Sequence, residues 1–245
     1  MNLKVEDIFR RFVREFGGEL ISDLLPTGNP PSNADFLFRR QGVIAELKCL
    51  ENNSLGSNYP EKMKALTDSW MRRRLMMVFG TRSIEINRLP PECQTEWLNL
   101  ICEPIQRNIV KKANGQIRET KKWLGLPDVK GLLLIASDGN LVMQPYDVAF
   151  FLTRVFQKKT EEGRDQYSNI DAFFHFSVNY LANVPGTQAP VLFSHAGPRS
   201  PDDMRMRAFC EELQDAWYAF LCKLTGAPIP TIASTSETIG KIKWI

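Results

Sequence analysis

Long apolar runs are absent from this chain, since no stretch approaches the roughly 18 apolar residues that a membrane-spanning helix needs. Residues typical of structural zinc sites and disulfide frameworks are also scarce. The chain has two histidines and five widely spaced cysteines, none of them in a Cys-x-x-Cys pair. We therefore expect no membrane partner, no disulfide framework, and cysteines that are reduced, packed thiols.

Strong net charge, repeats and low-complexity tracts are absent as well. The formal charge of +3 is compatible with nucleic acid as a partner but does not decide between partners. The first eight residues carry Lys4, Glu6 and Asp7, which argues against a secretory signal, so we expect a cytoplasmic protein. A length of 245 residues suits one large domain or two small ones, and without a visible seam we predict a single domain, 1–245.

The apolar pattern predicts an α/β fold. Residues 3–16 have helical spacing and stop at Gly17-Gly18, and 131–136 form a short apolar run typical of a strand buried on both faces. The other predicted helices are 60–79, 94–123 with bends at Pro104 and Gly115, 146–158 and 201–224. The other predicted strands are 20–25, a hairpin within 33–49, 172–178, 191–194 and one near Lys241.

The hairpin brings together the residues that suggest chemistry. If Gln41-Gly42 is a two-residue turn with Gly42 at positive φ, then Asp35 lies opposite Lys48. Side chains alternate along a strand, so Asp35, Glu46 and Lys48 share one face of the sheet. The other face would carry an apolar set that is suited to a core: Phe36, Phe38, Val43, Ala45, Leu47 and Cys49.

Two adjacent carboxylates repel each other unless a cation lies between them. Mg²⁺ prefers oxygen ligands, is often held by only one or two protein carboxylates, and activates bound water. Lys48 would orient or deprotonate that water, or neutralise charge on a phosphate. The trio therefore predicts a site for Mg²⁺ or Mn²⁺ with hydrolytic chemistry.

The spacing alone is weak evidence, because an Asp followed by Glu/Asp-x-Lys occurs by chance about once in such a chain. Glu119 and Lys121 have the same spacing but lie on a predicted helix, where residues two apart point to different sides. Asp128 and Lys130 lie in a turn without an upstream strand acid. Only the hairpin trio has the expected strand context.

At this point the sequence resembles the PD-(D/E)xK superfamily, the restriction-endonuclease-like nucleases. The resemblance covers about residues 3–137 and implies a core of helix, three antiparallel strands, helix and strand, with 138–245 as a C-terminal elaboration. Asp35 matches the metal-binding Asp, and Glu46 and Lys48 match the Glu-x-Lys; Ala34 replaces the usual proline. The implied activity is metal-dependent hydrolysis of phosphodiester bonds, with DNA as the expected partner and a homodimer as a possible assembly.

The resemblance also draws attention to two helical residues. Glu15, at the edge of the apolar face of the first helix, would be an additional metal ligand, or else an exposed surface charge. Gln116 falls within the inward stripe of its helix and would contact substrate or order the site. The alternative for Gln116 is a core glutamine bonded to backbone.

Other interpretations stay open. The hairpin charges could form a surface ion-pair ladder, which stabilises little. The chain could be an inactive nuclease-fold module that binds nucleic acid or takes part in an assembly, or a structural protein with a coincidental motif. Arg72, Arg73 and Arg74 could grip phosphates or form a solvated helix face, and His175 and His195 are expected to be structural.

Overall fold

A six-stranded mixed sheet organises the molecule in a computed structural model, which describes residues 4–25, 33–50, 58–77, 80, 85–138, 143–178, 180–186, 191–226, 241 and 243–244. The strands follow the order β1-β2-β3-β4-β5-β7, and this confirms the expected α/β class with a mixed sheet. The strands are β1 (Glu19–Leu20), β2 (Phe36–Phe38), β3 (Val43–Leu50), β4 (Lys130–Ser137), β5 (Ala172–Ser177), β6 (Ala182–Asn183), β7 (Ser194–Pro198) and β8 (Lys243–Trp244).

Helices cover both faces of this sheet. They are α1 (Val5–Glu15), α2 (Ile21–Leu24), α3 (Tyr59–Arg72), α4 (Pro91–Ile105), α5 (Lys111–Leu124), α6 (Pro145–Phe156) and α7 (Met204–Thr225). A π-helical segment, Gln106–Val110, joins α4 to α5 just after Pro104, and Gly115 does not interrupt α5. In the described part of the chain, no helix has both the length and the apolar character that crossing a bilayer requires.

Strand directions divide the sheet into two parts. Strands β1, β2 and β3 pair antiparallel, whereas β3, β4 and β5 run parallel and β7 closes the edge antiparallel to β5. A parallel neighbour requires a crossover, and α5 provides it by packing on β3 on its way to β4. Strand β4 is buried along Gly131–Ser137, as its apolar run predicted.

Each face of the sheet has its own core. Helices α1 and α7 pack against the face that carries Phe36, Phe38 and Ala45, and α5 and α6 pack against the face that carries Leu37 and Ile44. The predicted alternation of apolar side chains along the hairpin is therefore confirmed. Cys93 and Cys210 are free, buried thiols, as expected.

Several local predictions were wrong. The bend expected at Gly115 is absent from α5, and the strand predicted over 191–194 lies at Ser194–Pro198 instead. The segment predicted as a strand over 20–25 forms only the end of β1 and then the short helix α2. The hairpin is closed by four residues, 39–42, and not by a two-residue turn; the register pairs Phe36 with Ala45 and Phe38 with Val43. A two-residue type I′ turn needs positive φ at both central residues, whereas here only Gly42 (φ 65°) takes it.

Gly131 at the start of β4 gives a direct test of the packing. A Cβ there would lie 1.8 Å from the carbonyl oxygen of Asn169, in a segment held by hydrogen bonds between Asp171 and both backbone groups of Gly131. We expect Gly131→Ala to lower the free energy of unfolding by about 3 kcal/mol, measured by urea denaturation.

Gly115→Ala is the matched control, because a Cβ at this helical position meets nothing within 4 Å. It should raise the free energy of unfolding by about 0.5–1 kcal/mol. Equal effects of the two substitutions would contradict the described packing of β4.

Candidate active site

The site begins with a register that differs from the predicted one by two residues. Because Phe36 pairs with Ala45, the next position along places Asp35 opposite Glu46, and not opposite Lys48. A shift of two residues keeps every side chain on its predicted face. Asp35, Glu46 and Lys48 thus belong to the face of the sheet that α5 covers.

Four hydrogen bonds fix Asp35 and the residue before it. The Asp35 amide donates to the carbonyl of Ala45, and its own carbonyl accepts from the amide of Ile21. The carboxylate oxygen Oδ2 accepts from the amide of Leu47 at 2.8 Å. The amide of Ala34 donates to the buried hydroxyl of Thr120 on α5 at 2.8 Å. Asp35 is therefore held rigidly beside β3 even though β2 begins only at Phe36.

Lys48 and Gln116 form a chain of contacts from the sheet to α5. The ammonium of Lys48 donates to Oε1 of Glu46 and to Oε1 of Gln116, the latter at 2.9 Å. The side-chain amide of Gln116 donates in turn to the carbonyl of Asn33 at 2.8 Å. Gln116 therefore links Lys48 to the backbone before β2, and its role in ordering the site stays a prediction.

Glu46 is the most buried member of the group, with a side chain only 2% exposed, against 22% for Lys48. Burial is the main cause that raises the pKa of Glu46 to about 8, and the nearby charge of Asp35 raises it further. The contact with Lys48 acts in the opposite direction. Glu46 therefore carries a proton near neutral pH unless a cation takes its place.

The second carboxylate oxygen of Glu46, Oε2, is buried and has no hydrogen-bond partner among the described residues. A buried acceptor without a partner is destabilising by about 1–3 kcal/mol. A divalent cation shared with Asp35 would satisfy this oxygen, and hard carboxylate oxygens are the donors that Mg²⁺ and Mn²⁺ prefer. The residues present therefore fit the predicted metal, and Asp35 and Glu46 would be its protein ligands. No group of three or more His, Cys, Asp or Glu side chains suited to a metal occurs in the described ranges.

Glu15 does not join this arrangement. It is exposed on α1, which packs on the opposite face of the sheet, and its carboxylate accepts from Arg11 at 3.1 Å and from Lys223 at 2.9 Å. These cations lower the pKa of Glu15. Glu15 is thus an exposed, paired surface charge in this structure. Its role as a metal ligand stays a prediction.

Arg10 is a cation that sequence reasoning missed. It lines a recess of about 220 Å³ together with Ser22, Asn33 and Asp35. Helical periodicity marks Arg10 only as exposed and does not indicate that it shares a recess with Asp35. The first helix therefore contributes a cation to the recess that Asp35 also lines.

The residues that share the Glu-x-Lys spacing elsewhere serve other purposes. Glu119 pairs with Arg118 and Lys122 on the surface of α5. Lys130 bridges Asp171 and Asp203, which ties β4 to the start of α7.

His175 is fully buried and contacts the hydroxyl of Ser137 at 2.9 Å, a structural setting.

Comparisons of the chain with protein-family models, with curated proteins and with solved structures gave no match. The functional argument therefore depends on the geometry of the site.

The raised pKa of Glu46 predicts how stability depends on pH without metal. Because its folded pKa of about 8 exceeds the ordinary 4.5, the folded state holds a proton that the unfolded state has lost between these values. Stability from this group therefore falls as pH rises toward 8, with a slope of up to about 1.4 kcal/mol per pH unit. Glu46→Gln should remove this slope, as measured by urea denaturation in chelator between pH 7 and 8.

This window lies above the ordinary pKa of histidine. His175 has its pKa lowered to about 3, so its opposing contribution, a gain in stability with pH, is complete above its ordinary value of 6.5. Glu15→Gln is the control, since the lowered pKa of this exposed carboxylate leaves pH 7 to 8 unaffected. If the free energy of unfolding depends on pH in the same way for the parent protein and Glu46→Gln, the raised pKa of Glu46 is wrong.

Proposed function

We propose that this protein is a metal-dependent nuclease that hydrolyses phosphodiester bonds, with DNA as its substrate. The observation that carries the proposal is the buried Glu46 carboxylate, which lies beside Asp35, contacts Lys48 and has an oxygen without a partner among the described residues. An isolated surface ion-pair ladder does not require such burial.

The arrangement of elements supports a restriction-endonuclease-like core. Helix α1 precedes three antiparallel strands, α5 crosses over, and β4 joins β3 in parallel. Asp35 lies immediately before the second strand, and Glu46 and Lys48 lie within the third. This order agrees with the superfamily core that the sequence resembles.

Asp35 and Glu46 would hold one Mg²⁺ or Mn²⁺ ion through oxygens that lie on one face of the sheet. The bound ion would activate a water molecule and neutralise charge on the phosphate. Lys48, partly exposed and steadied by Gln116, would donate a hydrogen bond to the water or to a phosphate oxygen. Gln116 would act here as a positioning residue, because its side chain contacts Lys48 and the backbone carbonyl of Asn33.

We expect purified protein to cleave DNA in Mg²⁺ or Mn²⁺ and to stop when chelator is added. Lys48→Ala should lower kcat by at least about a hundredfold, the typical effect of losing a positioned proton donor. Asp128→Asn is the control and should leave kcat unchanged. Asp128 and Lys130 have the same sequence spacing as Glu46 and Lys48, but Asp128 is exposed and lies outside the site. If Lys48→Ala cleaves as fast as the parent protein, the proposal is wrong.

Metal binding separates this function from an inactive module of the same fold. Calorimetry with Mn²⁺ alone should show binding that is lost in Asp35→Asn and kept in Glu15→Gln. An inactive module would show no binding that depends on Asp35 and Glu46.

A further inference from the structure

A cationic groove runs along α5 beside the candidate active site. It has a volume of about 560 Å³, and Gln116 forms part of its wall. The same Gln116 accepts a hydrogen bond from Lys48, so the groove and the Asp35–Glu46 centre share a side chain. Three of the groove residues are cations: Arg107, Lys111 and Lys112.

These cations lie on consecutive parts of one continuous helical run. Lys111 and Lys112 open α5, and Arg107 lies in the π-helical segment just before it. Lys112 precedes Gln116 by four residues, so the two lie about 6 Å apart along the axis of α5. All three cations are exposed, and none of them makes an ion pair with a described carboxylate. The one acid in the groove wall, Glu119, is bound by Arg118 and Lys122.

Arg73, one of the three arginines at 72–74 that the sequence suggests as phosphate contacts, differs in this respect. It is held by Glu92 and Glu96 on α4, so its charge is already neutralised. The charges on the α5 groove are available to an external anion, and the groove shares Gln116 with the candidate active site.

We propose that the α5 groove binds the phosphodiester backbone of the DNA strand and leads it to the site, with Lys111 and Lys112 contacting phosphates. The inference rests on the proposed function for the identity of the anion. Lysine and arginine contacts to phosphate fix the position of a strand without reading its bases, so binding along the groove is independent of sequence. Each contact also releases counterions, which makes affinity depend on salt.

The test is fluorescence anisotropy with a labelled DNA oligonucleotide in chelator, where cleavage cannot occur. Lys111→Gln combined with Lys112→Gln should weaken binding roughly tenfold near 0.1 M salt and reduce the slope of log affinity against log salt by about 2. Lys159→Gln combined with Arg164→Gln removes the same charge at exposed residues outside the groove, which are already paired with Asp165 and Glu162. This control should leave affinity and slope close to those of the parent protein.

Equal losses in the two double variants would overturn the inference, because they would indicate attraction to net charge alone. An unchanged affinity in the Lys111 and Lys112 variant would also overturn it. RNA of the same sequence that competes equally well supports contacts to phosphates, whereas RNA that binds while DNA does not would overturn DNA as the occupant.

Cleavage assays distinguish this inference from the proposed function. If both hold, the Lys111 and Lys112 variant raises KM in Mg²⁺ and leaves kcat within about twofold, because the reacting groups are untouched. If that variant loses DNA affinity but the parent protein cleaves no DNA, the nuclease proposal is wrong and the proposed DNA-binding role of the groove still holds. If this variant cleaves DNA with an unchanged KM, the proposed role of the groove is wrong and the proposed nuclease activity still holds.

Discussion

The burial of one carboxylate, that of Glu46, is the constraint on which the site depends. A charged group so deep in a sheet is costly unless it is protonated, paired or bound to a metal. Lys48 pairs with one of its oxygens, and the other has no partner among the described residues. The nearby charge of Asp35 adds to this cost and favours a proton or a cation at this point. The same group that lowers stability at high pH is thus the one suited to hold a metal.

The parallel half of the sheet creates that burial. Strand β3 can have β4 as a parallel neighbour only if the chain crosses over, and the crossover lays α5 on the face to which Glu46 points. Gln116 and Thr120, one helical turn apart, then bond to residues 33 and 34 and hold the start of β2. One helix therefore covers Glu46, steadies Lys48 and anchors Asp35, while its exposed cations line the adjacent groove.

Side-chain alternation allowed the face shared by Asp35, Glu46 and Lys48 to be predicted from sequence, together with the apolar face behind it. The partner of each residue was not predictable, because the loop over 39–42 takes two more residues than a minimal turn and shifts the register. Helical spacing placed Gln116 inward, but its contact with Lys48 depends on how α5 crosses β3. For Glu15 and Arg10 on α1, spacing says which residues are exposed but not which of them faces the cleft.

The most direct test is the number of protons released when the metal binds. Mn²⁺ titrations followed by calorimetry at pH 7, in two buffers with different ionisation enthalpies, give this number. Because Glu46 has a pKa of about 8 without metal, binding should release close to one proton per ion. Binding without proton release, or no binding at all, would contradict a metal held by Asp35 and Glu46.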